Sequence, residues 1–312
     1  VCTASVTDSD GNTVTDTATV TVDNTNPTIS NVSVSPNISV TNDATLTCTA
    51  SASDIDESVS PTYAWNQNGT PIANGATVDL SQHSINPSDT IECVASVADS
   101  NGGTASGTDF VGIGNRAPVV TTPTISNTSP EADETITCSA TASDADGGTP
   151  TVTYEWSNGQ STLGSSATLT LSPSTVNVGD PIVCTVTATD SYGMTGGSSN
   201  LATVINTDPT ISASTISPTT ANVNDLLTCS ATGNDLNDGT LTATYAWSAS
   251  GGVTNSGATW QLDSNTVSGA ETITCTATVT DNDQATASSN VSITLDNSVP
   301  TVDSISITPN TG

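Results

Sequence analysis

Positive charge is almost missing from this chain: one arginine, Arg116, and no lysine stand against 31 acidic residues, a formal net charge of −30 over 312 residues. With nothing to neutralise phosphate, nucleic acid and anionic membrane surfaces are excluded as partners. The missing lysines also rule out lysine–asparagine isopeptide staples and lysine nucleophiles, and they leave a trypsin-like protease one site, Arg116. Histidine is equally scarce. His83, in a loop between Leu80 and Ile85, is the only one, so no Ser–His–Asp arrangement can recur along the chain, and no enzyme is expected. Aromatics make up 3%, so Ala, Val, Ile and Thr must fill thin cores that call for a staple. No run of 18 apolar residues is present to cross a membrane as a helix.

Cysteine is the residue that is well supplied. Seven cysteines at regular spacing, with one histidine and no C-x-x-C, read as disulfides rather than metal ligands, which points to an extracellular or cell-surface location. The spacing is part of a longer register. Pro27, Pro118, Pro209 and Pro300 recur every 91 residues, as do Asp8, Asp99, Asp190 and Asp281. Tyr63, Tyr154 and Tyr245 keep step two residues ahead of Trp65, Trp156 and Trp247. Cys2 lies 91 before Cys93, so it is expected to be the second cysteine of a unit whose first half is absent, with its partner outside this window. The register divides the chain into whole domains at 27–117, 118–208 and 209–299. Residues 1–26 are expected to be the last strands of a truncated domain, and 300–312 the first strand of a further one.

Within a unit, period-two alternation around each cysteine places both on strands that face one interior. The expected fold class is all-β: tandem Ig-like β-sandwich domains with one intradomain disulfide each, Cys48–Cys93, Cys138–Cys184 and Cys229–Cys275. Each bridge packs on a core tryptophan, Trp65, Trp156 or Trp247. In the type unit, a first-cysteine strand over 135–142 turns at Asp144-Ala145-Asp146 into a strand holding Val152, Tyr154 and Trp156. A second-cysteine strand, 182–189, turns at Asp190-Ser191-Tyr192-Gly193. Short hinges closed by proline favour an extended, semi-rigid rod.

The Cys, Tyr-x-Trp, Cys set, with its Pro-closed hinges and Thr-Ala-(Ser/Thr)-Asp turns, resembles the tandem Ig-like (PKD-like) repeats of giant bacterial and archaeal extracellular surface proteins. Ile91, Ile182 and Ile273 stand where antibody-type domains carry a tyrosine. The Trp-Asp-Phe-Gly-Asp-Gly run of PKD domains is missing, since Asn66, Ser157 and Ser248 follow the tryptophans, so the Ig-like reading is preferred. The resemblance implies stalks, fibres and adhesin spacers alike.

Sandwich geometry brings the turn after the first-cysteine strand and the turn after the second-cysteine strand to the end that the hinge enters. Asp23, Asn24 and Asn26 are expected to face Asp54, Asp56 and Asp99. Asn115 would meet Asp144, Asp146 and Asp190, and Asp208 would meet Asp235, Asn237, Asp238, Asp281 and Asp283. Such oxygen clusters suit Ca²⁺, which takes six to eight oxygens at about 2.3–2.6 Å. Asp and Gly are also good turn formers, which accounts for the same residues without a metal. Asp54 and Asp56 lie on a turn with no evident pocket for acid–base work. The N-x-(Ser/Thr) sequons at Asn31, Asn37, Asn68, Asn127 and Asn290 are candidate glycosylation sites. Trp260 reads as core and Tyr192 as an exposed contact. The functional expectation is a segment of an extracellular filament or cell-surface stalk whose partners are neighbouring repeats or copies of itself. The alternatives are an adhesin or carbohydrate-binding module that meets surface glycans, and a spacer in a larger secreted enzyme.

Overall fold

The alternation in Thr90-Ile91-Glu92-Cys93-Val94-Ala95 sends every second side chain to one face, and the strand Thr90–Ala98 buries Ile91, Cys93, Ala95 and Val97. The same rule builds the whole chain. The computed structural model describes residues 1–297 and 302–308. Packing groups them into two units, one of Val1–Val120, Ala142–Val152 and Ala188–Gly196, the other of Thr121–Thr141, Thr153–Thr187 and the chain from Gly197 on. Helical structure among the described residues is one short 3-10 turn, Leu80–Gln82.

In the first unit, a hairpin pairs Cys2–Thr7 with Thr13–Ala18, exposed on both faces, and Cys2 is free and exposed. The repeat after it has a three-stranded sheet, Thr28–Ser35, Thr45–Ser53 and Thr77–Asp79. A four-stranded sheet follows, in the order Thr70–Asn74, Thr62–Gln67, Thr90–Ala98, Thr104–Gly112. Val34, Leu46 and Val78 of the first sheet share one core with Trp65, Ile91 and Val111 of the second, and the Cys48–Cys93 disulfide joins the two. That is a two-sheet Ig-like sandwich.

In the second unit, Leu226–Ser230 lies between Thr215–Ser217 and Thr259–Gln261. The sheet opposite runs Thr254–Ser256, Thr244–Ala249, Thr272–Thr280, Thr286–Thr294. Leu227, Trp247, Trp260 and Ile273 fill the space between them, and Cys229–Cys275 crosses it. Trp260 meets Trp247 edge-on, with ring centroids 6.0 Å apart. The same unit holds the Cys138–Cys184 bridge beside the buried Trp156.

Each tryptophan is anchored at its polar end. The indole Nε1 donates to the carbonyl ten residues on: Gly75 at 2.9 Å, Ser166 at 2.9 Å and Gly257 at 2.8 Å. A buried N–H is thereby satisfied while the turn after the tryptophan strand is pinned to the core. Tyr63 and Tyr245 do related work outside the core. Their hydroxyls accept the N–H of Ala50 (3.1 Å) and Ala231 (3.2 Å), two residues after the first cysteine.

One strand departs from the expectation. The first-cysteine strand expected over 135–142 is broken into Thr135–Ser139 and Ala142–Ser143. Its edge partner is broken too: Thr124-Ile125 pair with Ser139 and Cys138, Val119-Val120 with Ser143 and Ala142. Pro123 sits in that gap, but the third repeat is broken at the same step with Ser214 in its place: Thr210-Ile211 pair with Asn234 and Gly233, and Thr215–Ser217 with Ser230 to Thr228. At the matching step the first repeat keeps a continuous strand with a bulge between Ser30 and Ser33, where Asn31 takes φ 52°. The hinge residues Ser298 and Val299 and the prolines' last member, Pro300, lie outside the described residues. Within the expected terminal strand, 302–308 are exposed and carry no strand.

Candidate cation sites at the joints

The hinges Asn24-Thr25-Asn26, Asn115-Arg116-Ala117 and Asn206-Thr207-Asp208 each precede a proline at the 91-residue spacing. In all three the asparagine amide donates to the aspartate after the second cysteine: Asn24 to Asp99 (2.8 Å), Asn115 to Asp190 (2.7 Å), Asn206 to Asp281 (2.8 Å). The aspartate has an oxygen to offer because the other one builds its own turn. Asp99 Oδ1 accepts the N–H groups of Asn101 and Gly103, Asp190 Oδ1 those of Tyr192 and Met194, Asp281 Oδ1 that of Ala285.

A second contact repeats beside the first. The N–H after the hinge asparagine donates to the other turn, from Thr25 to Asp56 (2.7 Å), from Arg116 to Asp146 and from Thr207 to Asn237 (3.2 Å). Those acceptors are held by Asp54, Asp144 and Asp235, whose Oδ1 atoms accept the N–H two residues on at 2.6–2.7 Å. Electrostatics follow the contacts. The Asn24 amide, helped by the Gly103, Asn101 and Gly102 N–H groups, holds the Asp99 carboxyl below its ordinary value against a smaller push from burial. Burial pushes Asp190 up, yet the Asn115 amide and the N–H groups of Met194, Tyr192 and Gly193 together leave it lowered.

What the joints leave open is more telling. Buried side-chain oxygens without a hydrogen-bond partner among the described residues are Asp54 Oδ2, Asp144 Oδ2, Asp235 Oδ2, Asn115 Oδ1, Asn206 Oδ1 and Thr207 Oγ1. Every one belongs to a joint. Asp235 is 3% exposed, so its bare oxygen lies away from bulk solvent. An unpaired buried acceptor costs about 1–3 kcal/mol, and at least one such atom recurs at each joint. Carboxylate, amide and hydroxyl oxygens together form the hard donor set that Ca²⁺ prefers. Among the described residues no three His, Cys, Asp or Glu groups converge, so an ion would draw on the amide and hydroxyl oxygens as well.

Not every residue singled out in the sequence comes to the joint. Asp23, Asp208 and Asp283 are exposed, and the third hinge works through Asn206 and Thr207 rather than Asp208. The 91-residue spacing of Asn24, Asn115 and Asn206 was the signal that marks them. Asp238 receives the backbone N–H and amide of Asn282 across the two turns. Asn26 Oδ1 and Asp99 Oδ2 both crowd Gly103, where a β-carbon would displace them. Arg116 is unlike the other hinge residues. Its Nε donates to Asp146 Oδ1 (2.8 Å), and Nη2 donates to the Ala145 carbonyl (2.9 Å). On the other side Nη2 donates to Asn42 Oδ1 (2.6 Å) and Nη1 to Asp43 (3.0 Å). The Thr41 hydroxyl and then Arg116 hold the Asp43 carboxyl below its ordinary value.

Outside the joints, Tyr192 is half exposed and Trp260 is buried. Asn31, Asn37 and Asn290 lie exposed, whereas Asn68 and Asn127 are tied to Asp89 and Glu134 through their amides.

No family model matches the chain, and no curated protein matches it. Among solved structures it is similar to a Ca²⁺-stabilized adhesin that helps an Antarctic bacterium reach out and bind ice, at 19% identity over 94% of this chain and 81% of that one, with a TM-score of 0.35. A 1.5-MDa bacterial ice-binding adhesin is 18% identical over 88% of this chain and 100% of that one, TM-score 0.35. A tetra-tandem repeat in the extending region of a large adhesion protein is 18% identical over 95% of this chain and 81% of that one, TM-score 0.35.

Proposed function

We propose that the chain is a structural segment of an extracellular filament or cell-surface stalk, built from tandem disulfide-stapled Ig-like domains whose joints bind Ca²⁺. The observation that carries this reading is the set of buried, unpartnered oxygens that recurs at the joints, Asp54, Asp144 and Asp235 above all. A fold repeated at a fixed register, with its open valences placed between repeats, is organised to hold links in line rather than to turn over a substrate. Asp54, Asp144, Asp235, Asn115, Asn206 and Thr207 would hold the ion, and the ion would supply the positive charge that joints so rich in carboxylate otherwise lack. With 31 acidic residues against one arginine, lateral association between copies would call for divalent cation or high salt.

Calorimetric titration of Ca²⁺ into the full chain, followed by thermal unfolding with and without EDTA, tests the reading. Saturable binding is expected, with stabilisation of about 2.7 kcal/mol at Ca²⁺ one hundred times the dissociation constant. Asp235→Ala should lower the binding stoichiometry while leaving the disulfides intact. Absence of saturable heat, together with melting curves that EDTA does not move, would contradict it.

A further inference from the structure

We infer that Arg116 is a built-in cation clamp at the Asn115–Ala117 joint, one that the other two joints lack, so that one joint of this chain holds without added cation. The inference rests on the cation reading of the joints given above.

Three features meet at this position. The first is substitution: the outer hinges read Asn24-Thr25-Asn26 and Asn206-Thr207-Asp208, and the middle one Asn115-Arg116-Ala117. Two adjacent oxygen-bearing side chains are lost together, and the only arginine of the chain takes the place of one of them. At the third joint the matching atom, Thr207 Oγ1, is one of the buried oxygens left open. A ligand oxygen and a positive charge therefore alternate at one structural position.

Charge is the second feature. The first joint brings together Asp54, Asp56, Glu57 and Asp99, and the third Asp235, Asp238 and Asp281, with no basic side chain at either. The middle joint has Asp43, Asp144, Asp146 and Asp190, and Arg116 pairs with two of them. Only this joint carries a fixed positive charge against its carboxylates.

Geometry is the third. Both oxygens of Asp146, a carboxylate only 2% exposed, are taken by Arg116, one by its backbone N–H and one by Nε. The same guanidinium reaches Asn42 and Asp43, so a single side chain grips residues before and after the hinge as a coordinated ion would. Asn115 Oδ1 and Asp144 Oδ2 stay open here, untouched by the guanidinium, so Arg116 braces the joint beside those oxygens rather than among them.

Hydrogen exchange on the intact chain tests this at three amides, those of Thr25, Arg116 and Thr207, each of which donates to its joint. In Ca²⁺ all three should be protected. In EDTA, protection at Thr25 and Thr207 should fall by about tenfold or more, while Arg116 changes little. Arg116→Gln, which keeps length and polarity without charge, should make the amide at position 116 exchange in EDTA as its counterparts do. Arg116→Thr combined with Ala117→Asp should restore its protection in Ca²⁺ only. Loss at Arg116 in the unmutated chain equal to that at Thr25 and Thr207, or full protection in Arg116→Gln with EDTA, overturns the inference. Protection at Thr25 and Thr207 that ignores EDTA overturns the cation reading of the joints, and this inference with it.

Discussion

Replacing Cys229 and Cys275 together by alanine should lower the stability of the repeat they staple by about 4 kcal/mol, the value that chain entropy assigns to a closed loop of this size. The bridge spans 46 residues, joins the two sheets and has both cysteines within 2% of full burial. Opening it returns to the unfolded chain a freedom that the bridge had removed, and it leaves a space between the sheets where the sulfurs were. Few apolar groups are at hand to compensate, since the core around it relies on Leu227, Ile273, Leu262 and the two tryptophans. A loss of that size is comparable to the whole net stability of a small domain. Denaturant unfolding of the full chain should show this repeat melting well ahead of the two that keep their bridges. A shift below about 1 kcal/mol would mean that packing alone holds the sandwich.

Trp247→Ala should cost about 3–5 kcal/mol, and more than the same change at Trp65. Both side chains are buried and both indoles donate to a turn carbonyl, so the common loss is transfer of a large apolar surface plus an orphaned Gly257 or Gly75 oxygen. The difference lies across the core. Trp247 stands edge-on to Trp260, while the matching residue facing Trp65 is Val78. An edge-to-face aromatic pair adds about 0.5–1.5 kcal/mol beyond buried area. Unfolding curves of the two single variants give the comparison directly. Equal losses would show that the Trp247–Trp260 contact contributes no more than bulk.

Cysteines, tryptophans and prolines in a 91-residue register were enough to read the sandwich, its strand faces and the placing of the turns at the hinge end. Alternation is a property of each strand by itself, and the register multiplies the signal by three. The atoms that make the joint were harder to read. The hinge N–H groups of Thr25, Arg116 and Thr207 carry no side-chain signature, and their acceptors sit about 30 residues away. Asp208 was the hinge residue expected to meet the turns of the third joint, but it lies two positions after Asn206 and is exposed, whereas neutral Asn206 reaches Asp281. The reach of Arg116 to Asn42 and Asp43 depends on where a loop 73–74 residues earlier comes to rest, which no local pattern encodes. The break in the 135–142 strand was likewise hidden, because it goes with a break in the edge partner rather than with the strand's own alternation, and it recurs between Leu226–Ser230 and Gly233–Asp235 where no proline stands.

Small-angle scattering of the full chain in Ca²⁺ and again in EDTA tests most directly the claim that the joints hold tandem domains in line. In Ca²⁺ the longest dimension should be about 120–140 Å, each repeat adding roughly 40 Å, with the narrow profile of an extended particle. In EDTA the Asn24–Asn26 and Asn206–Asp208 joints should loosen, and the profile should broaden toward shorter distances while the domains stay folded. A compact particle in Ca²⁺, or profiles that superimpose with and without the chelator, would contradict the account.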